Sequence, residues 1–574
     1  MNTMNTNTNK LNNTLLKINI INESIMIKHD MDVLPEVATE RPYASLKIKV
    51  NECTMITQPI FFHFMIDRSG SMSDVCKDGK TKMDHIVHTL TNMLYFFAEN
   101  ECATIYCEID SFDDKIHKIV DRVMVTKENV IELIQQLKLL YPRNSTNIEL
   151  ALKYSEKLIQ KYSESNIDHR ISHIFMTDGD ATVGNTDTNY LACLVSPIIS
   201  STFIAFGIDH NAGMMNKLGK ASKNSSNWLI ENLENAGLVY GEILNNELYI
   251  GAEDVVISIQ NGLIYDYHIG EFSESLEINN LITQTEKNYH ILLDPNNIDS
   301  CVARVRGVIV ETGEIFEEYI PLLPNLMDPY TLEVYRETDL TTQMFRLRTQ
   351  QLLHEVLNFS RENSGMNTGL TSIFSRPHLL RNNTINYTQN TLKRRNANYG
   401  NNNNINIFEN DDDNVDIEEN NNTKINITEN DIEKNIIDPD DLIDPEIKCK
   451  EKLTTFHKQM LDYMKINELQ EDCFMKGLCD DIYIAIRTIG TRRLQMYVGA
   501  RETSQGRQQT YNVTDIEFDD DYDTRDDNDN NLASYLLQQS STNKTYSTPT
   551  VINTMRTMSS KINDREIEEE ISKS

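Results

Sequence analysis

Cysteine, proline and tryptophan are scarce in this chain of 574 residues, which holds nine cysteines, 13 prolines and one tryptophan. The cysteines show no close paired spacing, so neither a disulfide framework nor a zinc module is expected. No apolar run reaches the roughly 20 residues that a membrane-spanning helix needs, and the N-terminus lacks a basic and apolar signal region. We therefore expect a cytoplasmic protein without a membrane span, with packaging in a virion as a further location if the source is viral.

Basic residues are also few, because 54 lysines and arginines stand against 87 acids and leave a net charge of −33. Residues 409–446 carry 15 acids against two lysines, and residues 515–529 carry nine acids against one arginine. Such runs repel themselves and cannot build a core, so we expect disordered linkers, with an acidic docking tail for basic partners as the alternative. The same charge argues against direct binding of nucleic acid.

An apolar strand that ends in an acid and two hydroxyls is the most informative feature that is present. The strand from Phe61 to Ile66 is followed by Asp67, Ser69 and Ser71. Alternate residues of an extended loop point the same way, so these three side chains can converge on one small, hard cation. The sequence therefore predicts a metal site in this loop.

Two later segments offer oxygen atoms, one before a helix and one at the end of a strand. Thr146 stands before an Ala- and Leu-containing helix, and Asp178 follows the apolar stretch 171–176. Asp-x-Ser-x-Ser, a Thr before a helix and Thr-Asp-Gly after a strand, in that order, resemble the von Willebrand factor A (VWA) domain with its metal-ion-dependent adhesion site. The resemblance extends from about Pro59 to Leu248 and includes three lesser marks: Ser111-Phe112-Asp113, the strand Phe203–Ile208 and the strand Asn227–Ile230.

The resemblance implies a role for each of five residues. Ser69, Ser71 and Thr146 would give hydroxyl oxygens to the metal, and Asp67 and Asp178 would hold it directly or through water. Two carboxylates neutralise a divalent ion while hydroxyls donate weakly, so the metal would stay attractive to a carboxylate from outside. All-oxygen ligation favours Mg²⁺, with Mn²⁺ or Ca²⁺ as substitutes. The expected partner is therefore a protein that presents an Asp or Glu.

Two features bear on the details of this site. The family often has a glycine pair before the Thr, whereas this chain has Arg143, Asn144 and Ser145. Asp74 raises the alternative of an adjacent second metal, but no second acid stands beside it, which favours a solvated loop residue.

Other interpretations of the motif are weaker. Asp67 and the two serines could form a polar turn that caps a helix, since Asp and Ser are common at helix N-termini. Phosphatases of the haloacid dehalogenase type also place an Asp after the first strand, but they need a second Asp where Ser69 stands. The sequence shows no nucleophile elbow, Walker loop or zinc-protease helix. We therefore expect no enzymatic activity, with a Mg²⁺-dependent hydrolase as the least favoured alternative.

Strand and helix patterns alternate through the first half of the chain. Apolar strands at 61–66, 104–109, 171–176 and 202–207 alternate with helical patterns at 82–97, 130–140 and 148–159. This order is typical of an α/β fold with a doubly wound, mostly parallel sheet, which binds ligands beyond the carboxyl ends of its strands. After Leu248 a period of two predicts an all-β sandwich, which the alternating stretch 44–50 would join. The VWA-like part is therefore predicted to be inserted in, or next to, that sandwich.

Helical spacing returns at 328–360 and 450–497, which predicts a helical module built from two halves. The predicted organisation is a flexible segment (1–40), a strand for the sandwich (41–58), the VWA domain (59–248), the β-sandwich (249–325), the first helical part (326–366), a disordered Asn- and acid-rich linker (367–446), the second helical part (447–502) and a mostly disordered tail (503–574). This layout is similar to intracellular VWA proteins related to plant VWA ubiquitin ligases, although their RING finger is absent here. The expected function is a metal-dependent protein-interaction module or scaffold, and the alternative is a structural or packaged particle component that assembles without metal.

Overall fold

The computed structural model describes residues 15–22, 42–323, 340–363, 445–510 and 546–558, apart from short gaps inside these ranges. In chain order its strands are β1 (Leu16–Asn22), β2 (Tyr43–Val50), β3 (Ile60–Asp67), β4 (Ile105–Phe112), β5 (Ile116–Met124), β6 (Arg170–Thr177), β7 (Ser200–Phe206), β8 (Ser225–Ile230), β9 (Ile250–Gln260), β10 (Gly262–Asp266), β11 (Glu271–Ser273), β12 (Ser275–Ile278), β13 (Leu281–Ile282), β14 (Glu286–Leu293), β15 (Val302–Ile309) and β16 (Ile315–Leu323). Its helices are α1 (Lys82–Glu99), α2 (Val130–Leu137), α3 (Ile148–Ser165), α4 (Thr188–Cys193), α5 (Ala212–Gly219), α6 (Leu233–Leu248), α7 (Thr341–Asn363), α8 (Pro445–Ile466), α9 (Cys473–Thr488), α10 (Leu494–Arg507) and α11 (549–558).

Six of the described strands form a mostly parallel sheet in the order β5-β4-β3-β6-β7-β8. Only β5, at one edge, runs antiparallel to its neighbour. Consecutive residues of β3 point to opposite faces, so Phe61 stacks on Tyr162 of α3 with ring centroids 4.1 Å apart, and Phe62 stacks on Phe97 of α1 at 4.8 Å. Helices therefore cover both faces of the sheet, and the predicted doubly wound α/β fold is confirmed.

β3 lies at the centre of this sheet, between β4 and β6. All eight of its residues are buried, as expected of a parallel strand that is covered on both faces. The strand ends at Asp67, so its last side chain stands at the carboxyl edge of the sheet. The predicted motif therefore begins at the edge where doubly wound sheets bind ligands.

Helix α1 begins after a capping box that fixes its first turn. The Thr81 hydroxyl accepts from the Asp84 backbone N–H (3.1 Å), and Asp84 Oδ2 accepts from the Thr81 backbone N–H (2.9 Å). Each partner thus satisfies an N–H group that the helix itself leaves unpaired. Lys82 is the first residue of the helix.

The other ten described strands form a second sheet in the order β11-β10-β14-β2-β1-β16-β15-β9-β12, with β13 beside β9. Its two halves share a core that includes Leu46 and Ile48 of β2, Ile257 of β9, Val305 of β15 and Phe316 of β16. β2 pairs antiparallel with both β1 and β14. The domain from β3 to α6 is therefore inserted between two strands of a β-sandwich, as the sequence predicts.

The N-terminal segment 1–40 is not flexible throughout, contrary to the prediction. Residues 16–22 form β1, which pairs along its whole length with β2. Leu16 and Ile18 are buried in the sandwich core, so the alternation of apolar residues is the physical reason for the strand.

The tail 503–574 also contains more structure than predicted. Helix α10 continues to Arg507, and residues 549–558 form α11. Val551, Met555 and Met558 lie at helical spacing and are buried in the core of the inserted domain, which is why this part of the tail folds. Residues 511–545 and 559–574 lie outside the described part of the chain.

The four helices α7 to α10 share a core that includes Phe345, Leu352, Phe456 and Leu478, so the two predicted halves pack as one helical module. Apart from its last two positions, which begin α8, the predicted linker 367–446 lies outside the described residues. No helix in the described ranges is long and apolar enough to cross a membrane.

Candidate metal centre

Three loops meet at the carboxyl edge of the parallel sheet. The first follows Asp67 at the end of β3, the second contains Thr146 before α3, and the third begins with Asp178 after β6. Gly70 donates its backbone N–H to the Asn144 carbonyl at 3.0 Å, which joins the first two loops. The Thr146 carbonyl accepts from the backbone of residue 182 at 2.9 Å, which joins the second to the third.

Four of the five predicted ligands are linked by short polar contacts. Ser69 Oγ lies 3.1 Å from Ser71 Oγ, and the Ser71 hydroxyl donates to Asp178 Oδ1 at 2.9 Å. The Ser69 backbone N–H donates to Asp67 Oδ1 at 2.7 Å. Asp67, Ser69 and Asp178 are almost fully buried. The structure therefore places two carboxylates and two hydroxyls within a few ångströms of one another.

Asp67 is held on both of its oxygens. The Thr177 hydroxyl donates to Asp67 Oδ2 at 2.6 Å, in addition to the Ser69 N–H on Oδ1. Burial raises the pKa of Asp67 to about 6, with a further contribution from the charge of Asp178, while the hydrogen bonds from Thr177 and Ser69 act to lower it. Ionised Asp67 is thus an unneutralised buried charge, which a bound cation would stabilise.

A lysine that the sequence analysis missed lies against the same cluster. Lys82 Nζ donates to Asp178 Oδ2 at 2.7 Å and lies 3.4 Å from Asp74 Oδ2. The Lys82 side chain is only 9% exposed. Burial acts to lower the pKa of Lys82, but the hydrogen bond and charge of Asp178, together with Asp74, raise it above its ordinary value. The cluster therefore already holds one positive charge, the Lys82 ammonium. Lys82 is also the partner of Asp74, the residue considered for a second metal.

Thr146 joins the site through its backbone, since its N–H donates to the Thr182 hydroxyl at 2.9 Å. Two residues earlier, Asn144 has a φ of 60°. This left-handed conformation favours glycine, and Asn is among the other residues that tolerate it best. Asn144 therefore provides the turn that the family's glycine pair would supply.

A buried carboxylate, that of Asp113, links the first two loops through two arginines. Asp113 Oδ2 accepts from Arg68 Nε at 3.1 Å and from Arg143 Nε at 2.8 Å. Although burial acts to raise the pKa of Asp113, the hydrogen bonds from Arg143 and then Arg68 hold it well below its usual range. This ion-pair group ties the residue after Asp67 to the residue before Asn144.

The donor set fits a hard cation rather than a soft one. Within the described parts of the chain, no three His, Cys, Asp or Glu residues are grouped to hold a metal. The centre instead offers the oxygens of Asp67, Ser69, Ser71 and Asp178, and oxygen is the ligand that Mg²⁺, Mn²⁺ and Ca²⁺ take. The Lys82 ammonium on Asp178 shows that the cluster accommodates positive charge.

One family model matches part of the parallel-sheet domain. Residues 62–180 match the family model of the von Willebrand factor type A domain. The chain contains a von Willebrand factor type A domain. The matched range includes all five predicted ligands and extends from β3 into the loop after β6. Beyond residue 180, β7 and β8 continue the same parallel sheet, so we take the VWA domain to extend through β8 and α6.

Solved structures with a similar fold include other VWA proteins of low identity. A von Willebrand factor type A protein from Catenulispora acidiphila is 9% identical, with 61% of this chain and 82% of that chain covered and a TM-score of 0.41. The ArnB paralog VWA2 from Sulfolobus acidocaldarius is 15% identical, with 61% and 86% covered and a TM-score of 0.38. Proximal thread matrix protein 1 from the mussel byssus, with a zinc-occupied MIDAS motif, is 15% identical, with 34% and 49% covered and a TM-score of 0.27. No curated protein matches this chain.

Proposed function

We propose that the VWA domain is a divalent-metal-dependent protein-interaction module that captures a carboxylate of a partner protein. The observation that carries the proposal is the cluster in which Ser69 Oγ, Ser71 Oγ and Asp178 Oδ1 lie within 3.1 Å of their neighbours at the sheet edge. Mg²⁺ is the proposed metal, with Mn²⁺ or Ca²⁺ as substitutes, because every donor is an oxygen.

Asp67, Ser69, Ser71, Thr146 and Asp178 are the residues that would hold the metal. When bound, the metal would supply a Lewis-acidic position open to the Asp or Glu of a partner. The chain's own residues set the conditions for that capture. Thr177 and the Ser69 N–H orient Asp67, and Lys82 shares Asp178 with any metal that binds.

The function proposed is a binding function without catalysis, in an intracellular protein that acts through protein partners. The β-sandwich and the helical module would serve as the scaffold that presents the domain. Helix α10 supports this arrangement, because Met496 and Tyr497 are buried in the VWA core and the Asn216 amide donates to the Gln495 carbonyl at 2.8 Å.

The test is isothermal titration of Mg²⁺ and Mn²⁺ into the full chain after removal of metals with a chelator. The Asp67→Ala/Ser69→Ala variant should lose binding, while Asp121→Ala should keep it, because Asp121 is an exposed acid on β5 far from any proposed ligand. Acetate, a soluble carboxylate, should bind only when metal is present. A folded wild-type chain that binds neither metal, or a double variant that binds as well as wild type, would contradict the proposal.

The same protein also tests the alternative of a particle component that assembles without metal. Size-exclusion chromatography in chelator and in Mg²⁺ should show no self-association that is independent of metal. A stable oligomer in chelator would favour the structural role instead.

A further inference from the structure

A polar cavity of about 80 Å³ lies where the VWA domain, the β-sandwich and the end of α10 come together. One wall comes from β8 and α6, another from β14, and a third from the residues that follow α10. Four charged side chains line the cavity, those of Glu242, Glu247, Lys287 and Arg507. The cavity is separate from the candidate metal centre, which lies at the carboxyl edge of the parallel sheet.

Lys287 is the central observation. It lies on β14, opposite Ile48 of β2, and it lines the cavity. Among the described residues its ammonium has no hydrogen-bond or salt-bridge partner. Burial lowers the pKa of Lys287 to about 8, and the nearby charge of Arg507 acts in the same direction, against the opposing effect of Glu242. An ammonium in such a place is costly unless an anion accompanies it.

Two guanidinium groups add to the positive charge. Arg507 donates to the backbone carbonyl of Ser225. Arg346 is not among the lining residues, but its charge acts on Lys287, and it donates to the backbone carbonyls of Asn288 and Gln505, both at 2.8 Å. Neither arginine forms a salt bridge with another described residue.

Two glutamates line the cavity as well, but both are already engaged. Glu242 Oε1 accepts from the backbone N–H of Thr510 at 2.8 Å. Glu247 Oε1 accepts from the Ser200 hydroxyl at 2.5 Å, and burial raises the pKa of Glu247. Lys287 and Arg507 therefore line the cavity beside two carboxylates that are already hydrogen-bonded, and the charge of Arg346 adds to theirs.

We propose that this cavity is a binding site for a small oxyanion, namely phosphate or the phosphoryl group of a small phosphorylated compound. The size is sufficient, because one water needs roughly 10–15 Å³ of such space and the cavity of about 80 Å³ therefore has room for about five to eight water-sized groups, enough for one phosphate. Lys287 supplies a charged donor without another partner, and charge-assisted hydrogen bonds to phosphate oxygens are strong. A bound anion would contact all three walls and so stabilise their packing.

The test is isothermal titration of inorganic phosphate into the full chain at constant ionic strength, with sodium chloride as the reference salt. Wild type should bind phosphate and show a higher melting temperature in phosphate than in chloride. Lys287→Met should weaken phosphate binding at least tenfold, and Lys287→Arg should retain most of it. Lys49→Met is the matched control, because Lys49 is an exposed lysine on the neighbouring strand β2, and it should bind phosphate as wild type does.

A parallel titration with glycerol phosphate separates the two sources of the anion. Tighter binding of the ester than of inorganic phosphate would assign the site to a phosphorylated compound, and the reverse would assign it to the free ion. Folding of Lys287→Met is checked by its melting temperature in chloride, which should not fall, because the substitution removes a half-buried charge that has no carboxylate partner among the described residues. Equal effects of phosphate and chloride on wild type, or equal phosphate affinity of wild type and Lys287→Met, would overturn the proposal.

Discussion

Replacing Lys82 by Met should tighten metal binding at the candidate centre, because the ammonium and the metal compete for Asp178. Lys82 Nζ lies 2.7 Å from Asp178 Oδ2, so a metal on the other carboxylate oxygen would lie roughly 5 Å from the ammonium. Two unit charges about 5 Å apart interact by roughly 3 kcal/mol at an effective dielectric constant of about 20, and a divalent ion doubles this. Solvent and Asp74 screen part of the repulsion, so we expect an affinity gain of about tenfold to a hundredfold.

The same substitution should destabilise the metal-free protein. The Asp178 side chain is fully buried, and removal of one partner from a buried ion pair typically costs about 3 kcal/mol or more. Mg²⁺ should therefore raise the melting temperature of Lys82→Met by more than it raises that of wild type. The assays are isothermal titration of Mg²⁺ and thermal unfolding in chelator and in Mg²⁺.

Lys82→Arg keeps the positive charge and is the control for both assays. It should bind Mg²⁺ about as weakly as wild type. If Lys82→Met bound Mg²⁺ no tighter than Lys82→Arg while remaining folded, competition would be refuted, and Lys82 would have to orient Asp178 for the metal instead.

Three further predictions concern the loops and the sheet beneath the centre. Asn144→Ala should lower the free energy of unfolding by about 1–2 kcal/mol in urea denaturation, because Ala tolerates a positive φ poorly, and Asn144→Gly should not. Asp113→Asn should cost about 3 kcal/mol in the same assay, because it leaves Arg68 and Arg143 without their buried carboxylate, and a loss under about 1 kcal/mol would contradict this. Burial holds the pKa of His173 well below 6.5, so the unfolded chain binds a proton that the folded chain does not, and stability should fall as the pH drops through 6.5. The loss between pH 7.5 and 5.5 should be about 1 kcal/mol, and His173→Gln should show a pH dependence smaller by that amount.

The parts of the site that follow strands could be predicted from the sequence. Asp67 and Asp178 come directly after apolar strands of a parallel sheet, and such strands end at one edge whatever the details of packing. Lys82 could not be predicted in the same way, since 96 residues separate it from Asp178 and only the sheet register brings them together. One signal was present, because a lysine in the first turn of a helix opposes the helix dipole and so indicates an acidic partner elsewhere.

Two elements form where the sequence analysis expected flexible or disordered chain, and both are short and stand in polar surroundings. β1 shows its alternation at Leu16, Ile18 and Ile20 after a stretch rich in Asn and Thr, and a strand of that kind is stable only when a neighbour such as β2 pairs with it. α11 shows Val551, Met555 and Met558 at helical spacing, but isolated helices of ten residues are marginal in water. In both cases tertiary contacts decide the structure, and local sequence does not record them.

The insertion of the VWA domain between β2 and β9 has a consequence for the order of folding. Ile56 donates its backbone N–H to the Leu248 carbonyl at 2.9 Å, and the backbone N–H of Cys53 bonds to the Thr283 hydroxyl, 230 residues further along the chain. Closing an open loop of roughly 190 residues costs about 2–3 kcal/mol more conformational entropy than closing a loop of about ten. A VWA domain that folds first holds its two ends together and removes most of that cost, so β2 reaches β14 over a short effective distance. A defect in the VWA core should therefore slow assembly of the sandwich, whereas a defect in the sandwich should leave folding of the VWA domain largely unaffected.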